Sequence, residues 1–377
     1  MAKRIMAKRN LKRNLLDSLG DMKRAENYSK TLIEIGYDRY CGHHKIIRYT
    51  ADGFPVYTAS QPPLYSPAYA NSQVNLMFRS IQNRLLPSLS SIALTDVCNA
   101  RCEHCSFFNS INDPSKNPLS LDELKDFIRQ SQDLGVSTIN ILGGEPLMHP
   151  EWREVVATID KRRSYVFMFT NGWFLAESAA DLAAAGAGGV YVSIDASDAE
   201  THDHKRGTEG LFDKALEGIA AAKKVDLTVG ISCCIDQEGF EGGELDRIIE
   251  LGRRQGVHEV LIFDAMPVGR FCNRDDLWGS QTWIDQMIEH VRTYNEDENY
   301  PGVLVYAYMS SYMSMGCPGG TSYLYVSPYG EICPCDFHHH KFGNIREEKL
   351  NVIWDRMNQE LAPHGSNWNG CWAKHKE

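Results

Sequence analysis

Three cysteines stand close together in one short segment of the chain, Cys98, Cys102 and Cys105, in the spacing C-x3-C-x2-C. Cysteine thiolates are the protein ligands that hold iron–sulfur clusters. A four-iron cluster held by three local thiolates leaves one iron open, which can chelate a ligand and deliver an electron to it. A structural zinc site, with His104 or a distant cysteine as fourth ligand, is the alternative. Zinc sites usually present two C-x2-C pairs, and the absence of a second pair nearby favours the cluster.

The cysteine segment follows the first strand of a regular alternation of strands and helices. Ser120 and Glu123 form a capping box that opens the first of these helices. Such an alternation predicts a parallel sheet with helices outside, either an open sheet or a partial barrel. Active sites of α/β proteins lie at the carboxyl ends of such strands, where the cysteine segment is expected. The six predicted strands span residues 91–95, 138–142, 165–170, 190–195, 227–233 and 259–263.

Glycine, polar and charged residues follow the next three strands. Glycines let a backbone approach a ligand closely, and a glutamate can accept a hydrogen bond from an ammonium group. Ordinary strand-end turns, and for the arginine a solvated loop, are the alternatives. The second strand is followed by Gly143, Gly144, Glu145 and Pro146, which we call the GGEP motif, and the third strand is followed by Asn171. Ser193 and Asp195 lie at the end of the fourth strand, and Arg206 lies farther along the chain.

The cysteine triplet, the aromatic Phe107 behind it and the GGEP motif in register resemble the radical S-adenosylmethionine (SAM) superfamily, over about residues 91–271. The resemblance implies a [4Fe–4S] cluster on the triplet and the methionyl amine of SAM on the GGEP motif. It also implies that the polar residues after strands three and four face the SAM ribose, and that Arg206 pairs with the SAM carboxylate. In this chemistry the reduced cluster cleaves SAM to methionine and a 5′-deoxyadenosyl radical, which abstracts hydrogen from a substrate.

A second group of cysteines follows the alternation. Cys317 is followed by a predicted strand, a Pro-x-Gly turn and then Cys333-Pro334-Cys335. Cys371 lies near the last residue of the sequence, Glu377. This arrangement resembles a twitch or truncated SPASM domain, because the further dense cysteine block of a full SPASM domain is absent from the sequence. The resemblance implies one auxiliary iron–sulfur cluster. One alternative is a zinc site that also uses the histidines at 338–340, and another is that the cysteines are free and buried. Cys272 could replace Cys333 as a ligand. The four candidate ligands are Cys317, Cys333, Cys335 and Cys371.

Length and composition set the remaining expectations. The chain of 377 residues is predicted to be an α/β protein: a small N-terminal extension (1–90), a partial (β/α)6 barrel (91–300) and a cysteine-bearing α+β C-terminal domain (301–377). Within the extension we predict a helix at about 14–36, a hairpin that turns at 51–53 and an extended linker at 60–72. The net charge of −10 argues against a nucleic-acid partner. No apolar run is long enough to cross a membrane. Eleven cysteines without a signal peptide favour a reducing, cytoplasmic compartment.

The resemblance also bears on the reaction and on the substrate. It implies an oxidoreductase-like enzyme. It favours a peptide substrate, because SPASM-type relatives most often modify peptides by cross-linking, dehydrogenation or epimerisation. Twitch relatives also oxidise small polar molecules such as aminocyclitols or sugars, which is the alternative. An iron–sulfur electron-transfer or sensor protein is the rival of another class, although it needs no site for the SAM amine. The chemistry further implies a reductant partner such as flavodoxin or ferredoxin.

Overall fold

The computed structural model describes residues 44–82, 85–107, 115–278, 281–311, 314 and 316–365. The predicted helix at 14–36 and the candidate ligand Cys371 lie outside these ranges. Twelve strands occur within them. They are β1 (Arg48–Tyr49), β2 (Pro55–Val56), β3 (Leu89–Ala93), β4 (Thr138–Leu142), β5 (Tyr165–Thr170), β6 (Gly189–Ser193), β7 (Thr228–Ile235), β8 (Glu259–Asp264), β9 (Gly302–Val305), β10 (Tyr323–Val326), β11 (Glu331–Cys333) and β12 (Gly343–Asn344).

Ten of these strands form one sheet in the order β12-β11-β10-β3-β4-β5-β6-β7-β8-β9. From β10 to β9 every neighbouring pair is parallel, whereas β11 and β12 are antiparallel at one edge. The six predicted core strands are β3 to β8, each within a few residues of the predicted bounds. The apolar runs were therefore sufficient to locate them, because strands buried on both faces read as continuous hydrophobic stretches.

Helices cover the outer face of the sheet. The hydroxyl of Ser120 accepts from the N–H of Glu123 and the Glu123 carboxylate accepts from the N–H of Ser120, so the predicted capping box starts the first core helix. Buried residues such as Trp152, Trp354 and Phe127 join helices and sheet in one core. The helices are α1 (Pro67–Gln82), α2 (Leu121–Leu134), α3 (Trp152–Thr158), α4 (Leu175–Ala184), α5 (Ala199–Arg206), α6 (Leu211–Lys224), α7 (Gln237–Glu241), α8 (Glu244–Gln255), α9 (Gln281–Glu296), α10 (Tyr306–Met309) and α11 (Leu350–Gly365).

The C-terminal segment continues the core sheet. Strand β10 lies beside β3 in parallel, with Tyr325 opposite Ser91. The hydroxyl of Tyr329 donates to a carboxylate oxygen of Asp96 at 2.7 Å, just before the cysteine triplet. The segment that carries the later cysteines is thus docked against the strand that leads into the first three.

The N-terminal segment packs against the amino ends of the core strands, away from the cysteine triplet. The predicted hairpin is present, because β1 and β2 pair antiparallel around residues 51–53. The predicted extended linker at 60–72 is wrong in its second half, where α1 begins at Pro67. Near the amino end of β8, the buried Glu259 carboxylate accepts hydrogen bonds from the Tyr191 hydroxyl at 2.5 Å and the Ala59 N–H at 2.9 Å. No helix among the described residues is long and apolar enough to cross a membrane.

Candidate active site at the carboxyl ends of the strands

A cavity of about 220 Å³ lies at the carboxyl ends of the core strands. The segments after β3, β4, β5, β6 and β8 and the last residues of β7 contribute to its wall, as expected for a parallel α/β sheet. Glu145 and Pro146 are not part of the wall, although the two glycines before them are. The predicted site residues that line the cavity are Cys98, Cys102, Cys105, Gly143, Gly144, Asn171, Ser193, Asp195 and Arg206.

The backbone of the cysteine loop is held by the end of α5. The N–H of Arg101 donates to the carbonyl of Arg206 at 2.8 Å, and the N–H of Glu103 donates to that of Lys205 at 3.0 Å. The sequence pattern did not predict α5, and its last residues were interpreted as a loop or as a SAM contact. The helix therefore positions the cysteine loop as well as the Arg206 side chain.

Arg270 holds the same loop from the other side. Its Nη1 donates to the carbonyls of Arg101 and Cys102 at 2.9 and 3.1 Å, and its backbone N–H donates to the carbonyl of Cys105 at 3.0 Å. Two chain segments thus fix the loop through its peptide groups, which leaves the three thiols directed at the cavity.

The three thiols are partly or fully buried, and polar groups approach two of them. The sulfur of Cys98 accepts from the N–H of Ala100 at 3.4 Å, and that of Cys102 from Nη1 of Arg206 at 3.5 Å. Burial raises the pKa of Cys98 to about 12, and burial also raises the pKa of Cys105. Without a cation these thiols stay protonated, whereas a bound metal stabilises the thiolate form directly.

The glycines of the GGEP motif allow this turn to pack on the cysteine loop. The N–H of Gly144 donates to the Thr95 carbonyl at 2.7 Å, and the N–H of Glu145 donates to that of Val97 at 2.8 Å. Gly143 has a φ of +156°, and a Cβ there would lie 2.6 Å from the Thr95 carbonyl oxygen. A Cβ on Gly144 would collide with the Val97 backbone. Glycine, which has no Cβ, is therefore required at both positions by the approach of two backbones.

Glu145 is completely buried, and chain donors engage both of its carboxylate oxygens. Oε1 accepts from the Thr170 hydroxyl at 2.7 Å and the Leu147 N–H at 3.1 Å, and Oε2 accepts from the Asn171 N–H at 2.8 Å. Burial raises the pKa of Glu145 to about 7, although these three donors act in the opposite direction. The side chain therefore ties the turn after β4 to the end of β5, and it does so from behind the cavity wall.

Glu145→Ala is expected to lower the free energy of unfolding by about 3 kcal/mol or more, because it leaves three buried donors unpaired and each costs about 1–3 kcal/mol. It is also expected to weaken SAM binding by about 1.5–3 kcal/mol, with iron content unchanged, because the turn that brings Gly143 and Gly144 to the cavity wall loses its tie to the end of β5. Thermal unfolding and SAM titration measure the two effects separately. An unchanged unfolding midpoint would contradict the structural part.

Glu145→Gln is the matched control, because it keeps an oxygen acceptor and loses the titration. The folded-state pKa of about 7 lies above the ordinary value of 4.5. Protonated Glu145 therefore favours the folded state, and its contribution to stability declines as the pH rises from 4.5 to 7. We expect Glu145→Gln to remove that slope.

Asp195 and Arg206 form a buried ion pair, with Nε of Arg206 at 2.5 Å from Oδ2 of Asp195. Nε2 of His104 lies 3.2 Å from the same oxygen, and the N–H of Cys234 donates to Oδ1 at 2.9 Å. Burial alone would raise the pKa of Asp195, but the Arg206 and His104 side chains hold it well below its usual range. Burial lowers the pKa of His104 to about 4, so its ring is neutral near pH 7.

Arg206→Ala is expected to cost about 3–5 kcal/mol of stability, because it leaves the Asp195 carboxylate buried without its cation. The double variant with Asp195→Ala should recover part of this loss. Arg153→Ala is the control: Arg153 and Asp181 form a half-exposed pair, for which less than about 1 kcal/mol is expected. Urea unfolding at pH 7 measures all three, and equal losses for Arg206→Ala and Arg153→Ala would refute the prediction.

Sequence reasoning missed one part of the cavity wall. Asp264 at the end of β8 and Asp336 line it, together with aromatic residues. The rings of Phe263 and Phe337 lie 5.9 Å apart, so β8 and the segment after β11 meet here. The position of Asp264 at a strand end was a usable signal, equivalent to that of Asp195, whereas Asp336 had none.

Three of the four candidate auxiliary ligands are described, and all three are buried: Cys317, Cys333 and Cys335. A side chain at Gly319 would lie 3.7 Å from the Cys317 sulfur and 3.6 Å from Cβ of Pro334, so the turn after Cys317 packs on the Cys-Pro-Cys segment. Cys272 is exposed. Cys233 and Cys234 lie in β7 and also line the cavity.

Comparison with known proteins agrees with this architecture. Residues 92–250 match the radical SAM superfamily, and residues 317–371 match the SPASM iron–sulfur cluster-binding domain. The AdoMet-dependent heme synthase of Methanosarcina barkeri is 30% identical over 290 residues, 71% of this chain and 82% of that protein. The PqqA peptide cyclase of Rhizobium meliloti is 29% identical over 300 residues, 76% of this chain and 78% of that protein.

Solved structures share the fold at low sequence identity. SuiB of Streptococcus suis bound to its precursor peptide SuiA has a TM-score of 0.64 at 15% identity, and the match covers 92% of this chain and 81% of that one. anSMEcpe with bound AdoMet and the Cp18Cys peptide has a TM-score of 0.52 at 16% identity, and the match covers 73% and 82% of the two chains.

The fold and site define an α/β enzyme with a partial barrel and a cysteine-bearing C-terminal domain, as predicted. The chain belongs to the radical SAM superfamily and is a radical SAM enzyme. The two matched families imply a [4Fe–4S] cluster, SAM and auxiliary iron–sulfur clusters. This confirms the predicted cofactors.

The residues present fit these groups. Cys98, Cys102 and Cys105 all open into one cavity, and burial holds the first and last as thiols until a metal supplies positive charge. At the other cysteine group, the buried hydroxyl of Tyr325 has no hydrogen-bond partner among the described residues. Such a hydroxyl is usually paired, so an acceptor from a bound group suits this position.

Proposed function

We propose that Cys98, Cys102 and Cys105 hold the SAM-binding [4Fe–4S] cluster, and that the four later cysteines, 317, 333, 335 and 371, hold one auxiliary cluster. What supports the first set is that three thiols face one cavity at the carboxyl ends of the strands. What supports the second is the packing of Cys317 on the segment of Cys333 and Cys335.

The bound cluster and SAM supply the hydrogen-abstraction chemistry, and the chain supplies position and exclusion of water. Gly143 and Gly144 bring the backbone of the GGEP motif to the cavity wall, beside the cysteine loop. Arg206 holds its charge next to the Cys102 sulfur, while Asp195 fixes the direction of the guanidinium group. With Asn171 and Ser193, these groups form the polar side of the cavity that we assign to SAM.

We further propose that the enzyme modifies a peptide, oxidatively or by epimerisation. The observation that supports this proposal is the negative charge of the part of the cavity wall that we do not assign to SAM, where Asp264 and Asp336 lie among aromatic rings. Arg206 is paired with Asp195, and Arg270 keeps its charge while it holds peptide carbonyls of the cysteine loop, so the two remaining carboxylates outnumber the one remaining guanidinium group. Such a wall favours a neutral or cationic substrate group.

This charge argument weighs against a tetrapyrrole substrate, despite the heme synthase relative, because tetrapyrrole carboxylates would meet acidic groups. The PqqA peptide cyclase relative supports a peptide, and a cationic aminocyclitol is the second candidate with compatible charge.

For the reductant, flavodoxin or ferredoxin is proposed. Val97 and Arg101 are exposed beside the cysteine loop, on the surface through which an electron would enter.

The test measures 5′-deoxyadenosine formation by the reconstituted enzyme in the presence of different probes. These are lysine-containing, neutral and glutamate-rich synthetic peptides, an aminocyclitol, and Fe-coproporphyrin III. We expect lysine-containing or neutral peptides to raise the yield and to lose hydrogen, as read by mass spectrometry, or to gain deuterium from D2O on epimerisation. Stimulation by the porphyrin or by the aminocyclitol alone would overturn the peptide assignment.

A further inference from the structure

Tyr325 differs from the tyrosine that precedes it on the same strand. Tyr323 and Tyr325 are two residues apart in β10 and therefore face the same side of the sheet. The hydroxyl of Tyr323 lies 2.7 Å from both the Ser91 hydroxyl and a carboxylate oxygen of Asp336. The hydroxyl of Tyr325 is equally buried, at 1% exposure of the residue, yet it has no partner among the described residues.

The surroundings of Tyr325 explain why the described chain offers no acceptor. Its side chain packs in an apolar cluster with Ala93, Leu142 and Cys333. Its ring meets that of Phe107 edge to face, with centroids 5.8 Å apart. Phenylalanine would satisfy all of these contacts and would avoid burying an unpaired hydroxyl, which costs free energy. The hydroxyl is therefore expected to serve a group that is not part of these surroundings.

The strand register points to the auxiliary cysteines. Cys333 is the cross-strand partner of Tyr325 in the antiparallel pair of β10 and β11. Side chains of directly opposed residues lie on one face, with Cβ atoms about 4.5–5.5 Å apart. Tyr325 and Cys333 therefore share one face of the sheet, and the longer tyrosine side chain reaches farther from it than the cysteine does.

We propose that the Tyr325 hydroxyl donates a hydrogen bond to a sulfur atom of the auxiliary cluster and raises the reduction potential of that cluster. The inference rests on the proposed auxiliary cysteines. Hydrogen bonds to cluster sulfurs are one of the factors that set such potentials. A donor stabilises the reduced cluster more than the oxidised one, because the reduced cluster carries more negative charge. Tyr325 is thus a tuning residue for the group that accepts electrons.

The experiment uses the full chain with Cys98, Cys102 and Cys105 replaced by alanine, so that the auxiliary cluster alone is observed. The protein is reconstituted with iron and sulfide, and its potential is measured by EPR-monitored redox titration with and without Tyr325→Phe. We expect a lower potential in the variant, with the ratio of oxidised to reduced cluster changed about tenfold at a fixed potential, or about 59 mV for one electron. An unchanged or raised potential overturns the inference.

Tyr329→Phe is the matched control, because it removes a buried hydroxyl whose acceptor is the Asp96 carboxylate. It should leave the potential unchanged, and an equal shift in both variants overturns the inference. Tyr325→Leu serves as second variant. If both Tyr325 variants fold but lose the cluster, the hydroxyl is needed for retention and the tuning role is overturned. A parent protein without any cluster overturns the proposed ligands as well, whereas a cluster of unchanged potential overturns the inference alone.

Discussion

Replacing Cys98, Cys102 and Cys105 together by alanine is expected to remove about four iron atoms per chain and to abolish 5′-deoxyadenosine formation under dithionite. The three thiols reach one cavity from a single loop, whose peptide groups donate to the Arg206 carbonyl and accept from the backbone and side chain of Arg270. Because peptide groups rather than the thiols make most of the hydrogen bonds that hold the loop, the variant should still fold. Iron and sulfide analysis and chromatography of the SAM products measure the two losses.

The control is Cys272→Ala, which removes an exposed cysteine from the neighbouring segment. It should keep both the iron content and SAM cleavage of the parent. Circular dichroism of the triple variant separates loss of the cluster from loss of the fold. Undiminished SAM cleavage in the triple variant would contradict the assignment of the primary cluster ligands.

The fold was predictable from local patterns wherever the chain obeys them strictly. The core strands β3 to β8 are apolar runs bounded by turns, and the helices between them have caps such as Ser120. Strand β10 was predicted as a strand but not as a neighbour of β3. Apolar periodicity determines which face of a strand is buried, but it contains no information about the strand that lies beside it.

The candidate site was predictable where a residue type has a specific chemistry at a specific spacing. The cysteine triplet and the glycines belong to this class, and the structure brings them to one cavity. Glu145 shows the limit: its sequence position is that of a ligand contact, yet its oxygens bind Thr170, Leu147 and Asn171. The roles of Asp336 and Tyr325 depend on contacts between segments distant in sequence, which no local pattern encodes.

The second large effect is expected in the iron bound by the C-terminal cysteines. In the triple variant, the C-terminal cysteines should still bind about four iron atoms with sulfide. Cys317, Cys333 and Cys335 are buried in a segment that pairs with β3 through β10, so the core sheet supports them independently of the first cluster. Burial raises the pKa of Cys333 to about 12, and a metal is therefore needed to stabilise its thiolate.

Adding Cys335→Ala to the triple variant should remove this remaining iron, because a cluster with four protein thiolates loses one of them. Cys233→Ala, a buried cysteine of β7, is the matched control and should leave the iron in place. Truncation before Gly370 should have the same effect as Cys335→Ala, since Cys371 closes a long loop and its loss releases that constraint. Iron and sulfide analysis with Mössbauer or EPR spectroscopy follows each step. Zinc or no metal in the triple variant would show that these cysteines hold no cluster, and oxidation of a substrate radical would then need another electron acceptor.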